Sequence, residues 1–211
     1  MKGMEGLELI IVRHGETEWT LSGRHAGVTE ISLTAAGERE AERIGPILLR
    51  LLGDRDPIVF TSPRYRAVGT AKLSMSDFDF TVEPLLSEYG YGRYEGLTLR
   101  EIQTLAPGWD IWTDGCPDGE TTADVAARAD EFLARRAVPA ERPVIAVTHG
   151  HFSRVLAARA LRRPPEDGSI FGISTASVSV VKDLHERRSL YLWNMTAAAV
   201  TGGAGDRIES A

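Results

Sequence analysis

The 211-residue sequence predicts an α/β protein: a three-layer α/β/α sandwich around a mainly parallel sheet, with a small cap over the carboxyl ends of the strands. Three observations carry this reading. Short apolar runs rich in β-branched residues alternate with stretches of helical periodicity. Each run stops abruptly at a polar segment, as a buried strand does where it meets a loop. No stretch rich in Pro, Gly or Ser interrupts the alternation, so residues 1–211 read as a single domain.

Leu9–Val12 is the first strand. A helix follows from Thr34, whose hydroxyl suits an N-cap, with Ala41, Ile44, Ile47, Leu48 and Leu51 at helical spacing and Gly53 as its stop. Pro57–Thr61 is the second strand, and the amphipathic stretch Pro63–Leu73 the second helix. Residues 83–119, rich in Gly, Tyr, Trp and Pro and holding one helix near Leu97–Leu105, make the cap. Helical periodicity returns over Thr122–Ala137, Val144–Val147 is a third buried strand, and Phe152–Leu161 is a further helix. Ser177–Asp183 and Leu190–Trp193 complete the sheet as two strands around the polar turn His185–Ser189.

Composition bounds the function. With 43% hydrophobic and 26% charged residues the chain builds a real core. The net charge of -6 leaves no overall attraction for nucleic acid or an anionic membrane, so an anionic substrate requires a local cluster of bases. Cys116 is the single cysteine and has no partner for an intramolecular disulfide. The start, Met1–Glu8, lacks a basic segment followed by an apolar one, and no run approaches the roughly 18 apolar residues of a membrane span. The expectation is a soluble cytoplasmic protein.

Such a cluster of bases is present. The first strand is followed by Arg13-His14, the second by Ser62-Pro63-Arg64, and the third by Thr148-His149. If these strands are parallel neighbours, Arg13, His14, Arg64 and His149 converge at the carboxyl edge of the sheet, where α/β proteins hold their ligands. Two planar guanidinium forks and two imidazoles suit a phosphoryl group, whose oxygens accept hydrogen bonds and whose charge needs neutralising.

Arg13-His14-Gly15-Glu16-Thr17 resembles the signature of the histidine phosphatase superfamily, with Thr61-Ser62-Pro63-Arg64, the Glu88 segment and Thr148-His149-Gly150-His151 following in the same order. The resemblance runs from about Leu9 to Ala158. It lies in the phosphoglycerate-mutase-like branch and is greatest toward bacterial acid phosphatases and sugar-bisphosphatases, which share the texts Glu88–Leu97 and Trp112–Pro117. The resemblance implies that His14 is the nucleophile receiving phosphate, that Arg13, Arg64 and His149 hold it, and that Glu88 is the general acid. Neighbouring arginines would keep His14 neutral and nucleophilic, and a desolvated site beside phosphate would favour the protonated form of Glu88, so the rate would peak on the acidic side of neutrality. The chemistry requires no metal and no cofactor. Its substrate is a small phosphorylated metabolite, and a homodimer is compatible with it.

Departures from the mutase pattern point to hydrolysis. Thr20 stands where mutases usually carry Asn, Ala26 where they carry a hydroxyl residue, and His151 where they commonly carry Asn. Thr20, Gly150 and His151 are accordingly placed in the phosphate site. Only 61 positions separate Glu88 from His149, too few for the long mutase insertion that binds phosphoglycerate, so water reaches the phosphohistidine. His25, Tyr91 and Trp112 are the candidate substrate rim. His25 reaches either the pocket mouth or the surface, and Trp109 and Trp112 either wall the pocket or pack the cap. Arg128 reads as a surface or salt-bridge residue, Cys116 as an inert thiol, and Glu16 and Glu95 as the alternative acids.

Overall fold

The computed structural model describes residues 6–137, 142–185 and 187–201; the reading of the first residues as carrying no leader falls mainly on residues 1–5, outside the described residues. Six strands, β1 (Glu8–Arg13), β2 (Ile58–Thr61), β3 (Phe80–Val82), β4 (Val144–Thr148), β5 (Val178–Leu184) and β6 (Arg187–Met195), form one sheet in the order β3-β2-β4-β1-β5-β6. The first four run parallel, and the β5–β6 hairpin adds antiparallel to β1. Eight α-helices are described: α1 (Glu18–Ser22), α2 (Ala35–Leu52), α3 (Tyr65–Ser74), α4 (Leu99–Leu105), α5 (Ile111–Asp114), α6 (Thr122–Phe132), α7 (Gly150–Ala160) and α8 (Ala197–Thr201). Among the described residues, no helix is long and apolar enough to cross a membrane.

The two faces of the sheet follow from the period of two along each strand. Leu9, Ile11, Val144 and Ala146 point to one side, against Val125, Ala129 and Phe132 of α6 and Phe152, Val155 and Leu156 of α7. Ile10, Val12, Ile145 and Val147 point to the other, against Ile44 and Leu48 of α2 and Ala67 and Ala71 of α3. Each fully buried side chain of this size contributes about 1.5–3 kcal/mol, and strands apolar on both faces collect that on both. The three layers are those the sequence predicts.

The differences lie in short elements. β3 was not anticipated: it is three residues at the sheet edge, one half-buried and two exposed, too short to show a period. The same holds for α1 and α5, with five and four residues. The α-helix over Thr122–Phe132 gives way to a π-helical turn at Leu133–Ala137, so the anticipated helix is shorter and its last turn wider.

Register delivers the site. Arg13 pairs with Thr148 at the ends of β1 and β4, so the residues that follow, His14 and His149, leave the sheet side by side. The His14 N–H donates to Thr148 O at 3.0 Å, and the Ala176 N–H donates to His14 O at 2.9 Å. The loop after His14 then runs against the first turn of α2, where two backbones touch. A Cβ on Gly37 would lie 2.1 Å from Glu16 O, and one on Gly15 would lie 2.4 Å from Gly37 O.

This contact is testable. Gly37→Ala is expected to lower stability by about 1–3 kcal/mol, the usual penalty of forced overpacking, and to reduce turnover with it because the His14 loop must move. Gly69→Ala meets only the flexible Leu33 side chain at 3.3 Å and serves as the control, with stability within about 1 kcal/mol of wild type. Urea denaturation of both proteins checks the pair.

Candidate active site

The carboxyl edge of β1 and β4 opens into a cavity of about 460 Å3, lined by Arg13, His14, Thr20, His25, Glu88, Tyr91, Gly150, His151 and Arg154 among others. His14 is almost fully buried. Its Nδ1 lies 2.8 Å from Gly15 O, and a carbonyl only accepts, so Nδ1 carries the proton and Nε2 is left as a bare lone pair. Burial, then Arg66, then Arg13 hold the His14 imidazole well below the ordinary histidine range. The chain thus presents a neutral imidazole with a free nitrogen lone pair among cations.

Arg13, at the end of β1, is buried, donates through Nη1 to Ile173 O at 2.8 Å, and packs over Gly150. Arg64 corrects the sequence expectation. As the N-cap residue of α3 it is half-buried, pairs with Glu30 Oε1 at 3.0 Å, and does not line the cavity. Arg66, two residues on, takes the inner position and has no solvent exposure. Its Nε donates to His149 Nδ1 at 3.2 Å, Nη1 to Thr29 O at 3.0 Å, and Nη2 to Ala26 O at 2.6 Å and Gly27 O at 3.2 Å. The period of α3 carried this information: Arg66, Thr70 and Ser74 recur every four residues on the buried face, and Arg64 precedes the helix.

His149 sits edge-on to His14 with ring centroids 5.2 Å apart. Because Arg66 can only donate, His149 Nδ1 is the acceptor and Nε2–H donates to Ser62 Oγ at 2.7 Å. Both nitrogens are occupied by protein, and the ring lies behind the cavity wall, unlike the direct phosphate ligand the sequence reading expects. Burial and Arg66 hold His149 well below the usual range.

Glu88 lines the cavity and is buried, and its carboxyl is met there by backbone N–H groups that the sequence reading does not foresee. Oε1 accepts from the N–H groups of Tyr89 at 2.9 Å and Phe152 at 2.8 Å, and Oε2 from that of His151 at 3.1 Å. The carboxyl therefore closes the N-terminus of α7, whose cap residue His149 makes no side-chain capping bond. Arg128 fixes the segment from outside: it donates to the carbonyls of Leu85, Ser87 and Glu88 and forms a bidentate pair with Glu120. Of the two readings the sequence offers, surface or salt-bridge residue, the structure gives the salt bridge and adds the three carbonyl bonds.

Thr20 lines the cavity while its hydroxyl serves the capping box of α1 with Thr17. His25, nearly buried, donates through Nδ1 to Leu97 O at 2.9 Å and reaches the cavity rather than the surface. Tyr91 is buried and its hydroxyl lies 2.7 Å from His151 Nδ1. Trp112 does not reach the rim: it is buried behind the wall, under the Arg154 guanidinium at 4.5 Å from the ring centroid. Arg154 itself was not anticipated. It bonds only the carbonyls of Gly168 and Ser169, pairs with no carboxylate among the described residues, and its burial brings it down to about 10. Cys116 is buried and its thiol is pushed up to about 12, in keeping with an inert group.

A lone-pair nitrogen amid guanidiniums, at the carboxyl edge of a mainly parallel sheet, is the equipment of an α/β phosphatase. The comparisons with known proteins give the particular family. Residues 9–196 match the histidine phosphatase superfamily (branch 1). An acid phosphatase of Mycobacterium tuberculosis is 43% identical over 195 residues, covering 92% of this chain and 95% of the relative. A sedoheptulose 1,7-bisphosphatase of Saccharomyces cerevisiae is 35% identical over 177 residues, covering 71% of this chain and 65% of that protein. The solved structure of the product of open reading frame Rv3214 from Mycobacterium tuberculosis superimposes with a TM-score of 0.84 at 42% identity, over 90% of this chain and 98% of that one. The chain belongs to the histidine phosphatase superfamily.

The buried imidazoles make stability depend on pH. His14, His149 and His151 are each held well below 6.5, burial being the largest cause for all three. The unfolded chain therefore binds their protons first, and stability present above about pH 6.5 is lost as pH falls through that value. Each histidine adds a slope of up to about 1.4 kcal/mol per pH unit. Denaturation midpoints between pH 7.5 and 4.5 are expected to fall steeply, above the range in which the low-lying Asp124 and Asp183 titrate. A flat profile there would show that the three rings are already charged in the folded protein.

Proposed function

We propose that this phosphatase hydrolyses phosphomonoesters of small metabolites in two displacements at His14. The single observation that carries the reading is the Nδ1–H to Gly15 O bond, which leaves Nε2 as the nucleophile. In the first step Nε2 attacks phosphorus, the bond to the ester oxygen breaks, and Glu88 gives its proton to the departing alkoxide. In the second, water attacks the phosphohistidine, the P–N bond breaks, inorganic phosphate leaves, and Glu88 recovers a proton from the water. Arg13 at the cavity wall opposes the charge of the transferring group, and the buried Arg66 adds its field from behind. Each of these roles falls to a side chain of one protomer, and a homodimer is compatible with the reading. The cytoplasm is the setting this reading favours.

Arg154 narrows the substrate class. A buried guanidinium in the cavity wall, without a carboxylate partner among the described residues, supports substrates that carry a second anionic group beyond the scissile phosphate. The yeast relative's name, with its two phosphates on one sugar, agrees with that.

Acid quench of a reaction with labelled substrate is expected to trap acid-labile, base-stable phosphate on His14, and His14→Ala to lose turnover by about a thousandfold or more while remaining folded. Normal hydrolysis by that variant would overturn the proposal, as would transfer of phosphate between phosphoglycerates without release. Glu88→Gln is expected to slow alkyl phosphates far more than aryl phosphates, whose phenoxide leaves without a proton. Because His14 stays neutral below its ordinary range, the acid limb of kcat/KM is expected below pH 6.5, with the rate retained in mild acid. Arg154→Gln is expected to raise KM for a sugar bisphosphate about tenfold relative to an aryl monophosphate, the loss of one charge-assisted hydrogen bond.

A further inference from the structure

The loop at residues 26–29 lies between an acid and a base. Glu95 Oε1 accepts from the N–H groups of Gly27 at 3.0 Å, Val28 at 3.1 Å and Thr29 at 3.0 Å, and Oε2 accepts from Gly27 at 3.0 Å. The carbonyls of Ala26, Gly27 and Thr29 accept from the guanidinium of Arg66. Two consecutive peptide groups, 26–27 and 27–28, are thus bonded at both ends, with the oxygen on Arg66 and the N–H on Glu95. Their dipoles lie along the line from cation to anion, each polarised by both. Among the described residues Glu95 forms no ion pair with a side chain, and the charge opposed to it through these peptides is that of Arg66.

The loop has no room to relax. A Cβ on Gly27 would sit 2.4 Å from Tyr89 O, 2.9 Å from Glu95 Oε2 and 3.2 Å from the Tyr91 ring. At its start it is stitched to the glycine-rich segment by both backbone groups of His25, His25 N–H to Leu97 O at 2.9 Å and Gly96 N–H to His25 O at 2.8 Å. If the carboxylate were removed, the three N–H groups would lose their acceptor and the carbonyls would be free to turn away from Arg66. Arg66 is one of the cations that keep His14 neutral and the donor that sets the tautomer of His149.

We infer that Glu95 is a positioning residue for phosphoryl transfer, holding Arg66 beside His14 and His149 through the peptide groups of residues 26–29. The inference rests on the assignment of His14 as nucleophile. It gives Glu95 a part that does not involve donating a proton to the leaving group.

The test uses Glu95→Gln, which keeps an oxygen where all three N–H groups converge but removes the charge, and Glu95→Ala, which removes both. With both proteins folded by circular dichroism, kcat/KM is expected to fall about tenfold and about a hundredfold, as supporting residues around a reactive centre do. The fall should be equal for alkyl and aryl phosphates, the affinity for vanadate should weaken in parallel, and the acid limb should move to higher pH as the field of Arg66 on His14 weakens. Gly27→Ala should reproduce this pattern from the other side of the loop. Three results would overturn the inference: wild-type kcat/KM and vanadate affinity in Glu95→Gln, a loss confined to alkyl phosphates, or a loss with the acid limb unmoved. Failure of the wild-type protein to form phosphohistidine at His14 would instead overturn the assignment beneath it, so the two failures are told apart.

Discussion

The guanidinium of Arg66 is a charge with no contact with solvent, and the architecture around the site is what keeps such a group in place. An unpaired ion moved out of water costs many kcal/mol, and a protein keeps one only by surrounding it with acceptors of good geometry. Here the acceptors are three backbone carbonyls and one imidazole nitrogen. None of them is a carboxylate, so the positive charge is solvated without being cancelled and still acts on His14. The loop at residues 26–29, the tautomer of His149 and the bond from His149 to Ser62 all follow from satisfying that one side chain.

A second dependence runs through α7. A helix beginning next to a phosphate site ordinarily offers its first N–H groups to the anion. In this chain two of them, on His151 and Phe152, are taken by Glu88. The candidate acid is therefore held by the same helix start that His149 caps in sequence, and the two residues cannot shift independently. Arg128 ties the arrangement to α6 by gripping the carbonyls before and at Glu88, and its guanidinium covers the Phe152 ring at 4.9 Å.

How far the sequence could be read depended on distance along the chain. Strands β1, β2 and β4 were legible because each is an apolar run with an abrupt polar end, and the same ends located Arg13, His14 and His149. Helix α2 was legible down to its cap, where the Gly37 N–H donates to Thr34 Oγ1 at 3.0 Å. β3, α1 and α5 were not, since three to five residues are too few to display a period. Arg64 is the arginine next to the strand end and so the one the sequence offers, whereas the first turn of α3 decides that Arg66 faces inward. The setting of Glu88 was beyond reach for another reason: two of its three donors come from residues more than 60 positions away, and no local pattern announces them.

The order of the strands in the sheet also has a temporal meaning. β1 is made first but lies between β4 and β5, which come from the last third of the chain. His14 is fixed by Thr148 on one side and by Ala176 on the other. A nascent chain that has emerged from the ribosome only as far as α6 already contains His14, Arg66, Glu88 and Glu95, yet lacks Thr148 and Ala176 against His14, His149 against Arg66, and the α7 N–H groups that hold Glu88. Pairing over such separations is slow to form and closes late. The walls that enclose the His14 imidazole are therefore assembled from both sides of β1, and the site exists only as a property of the closed fold.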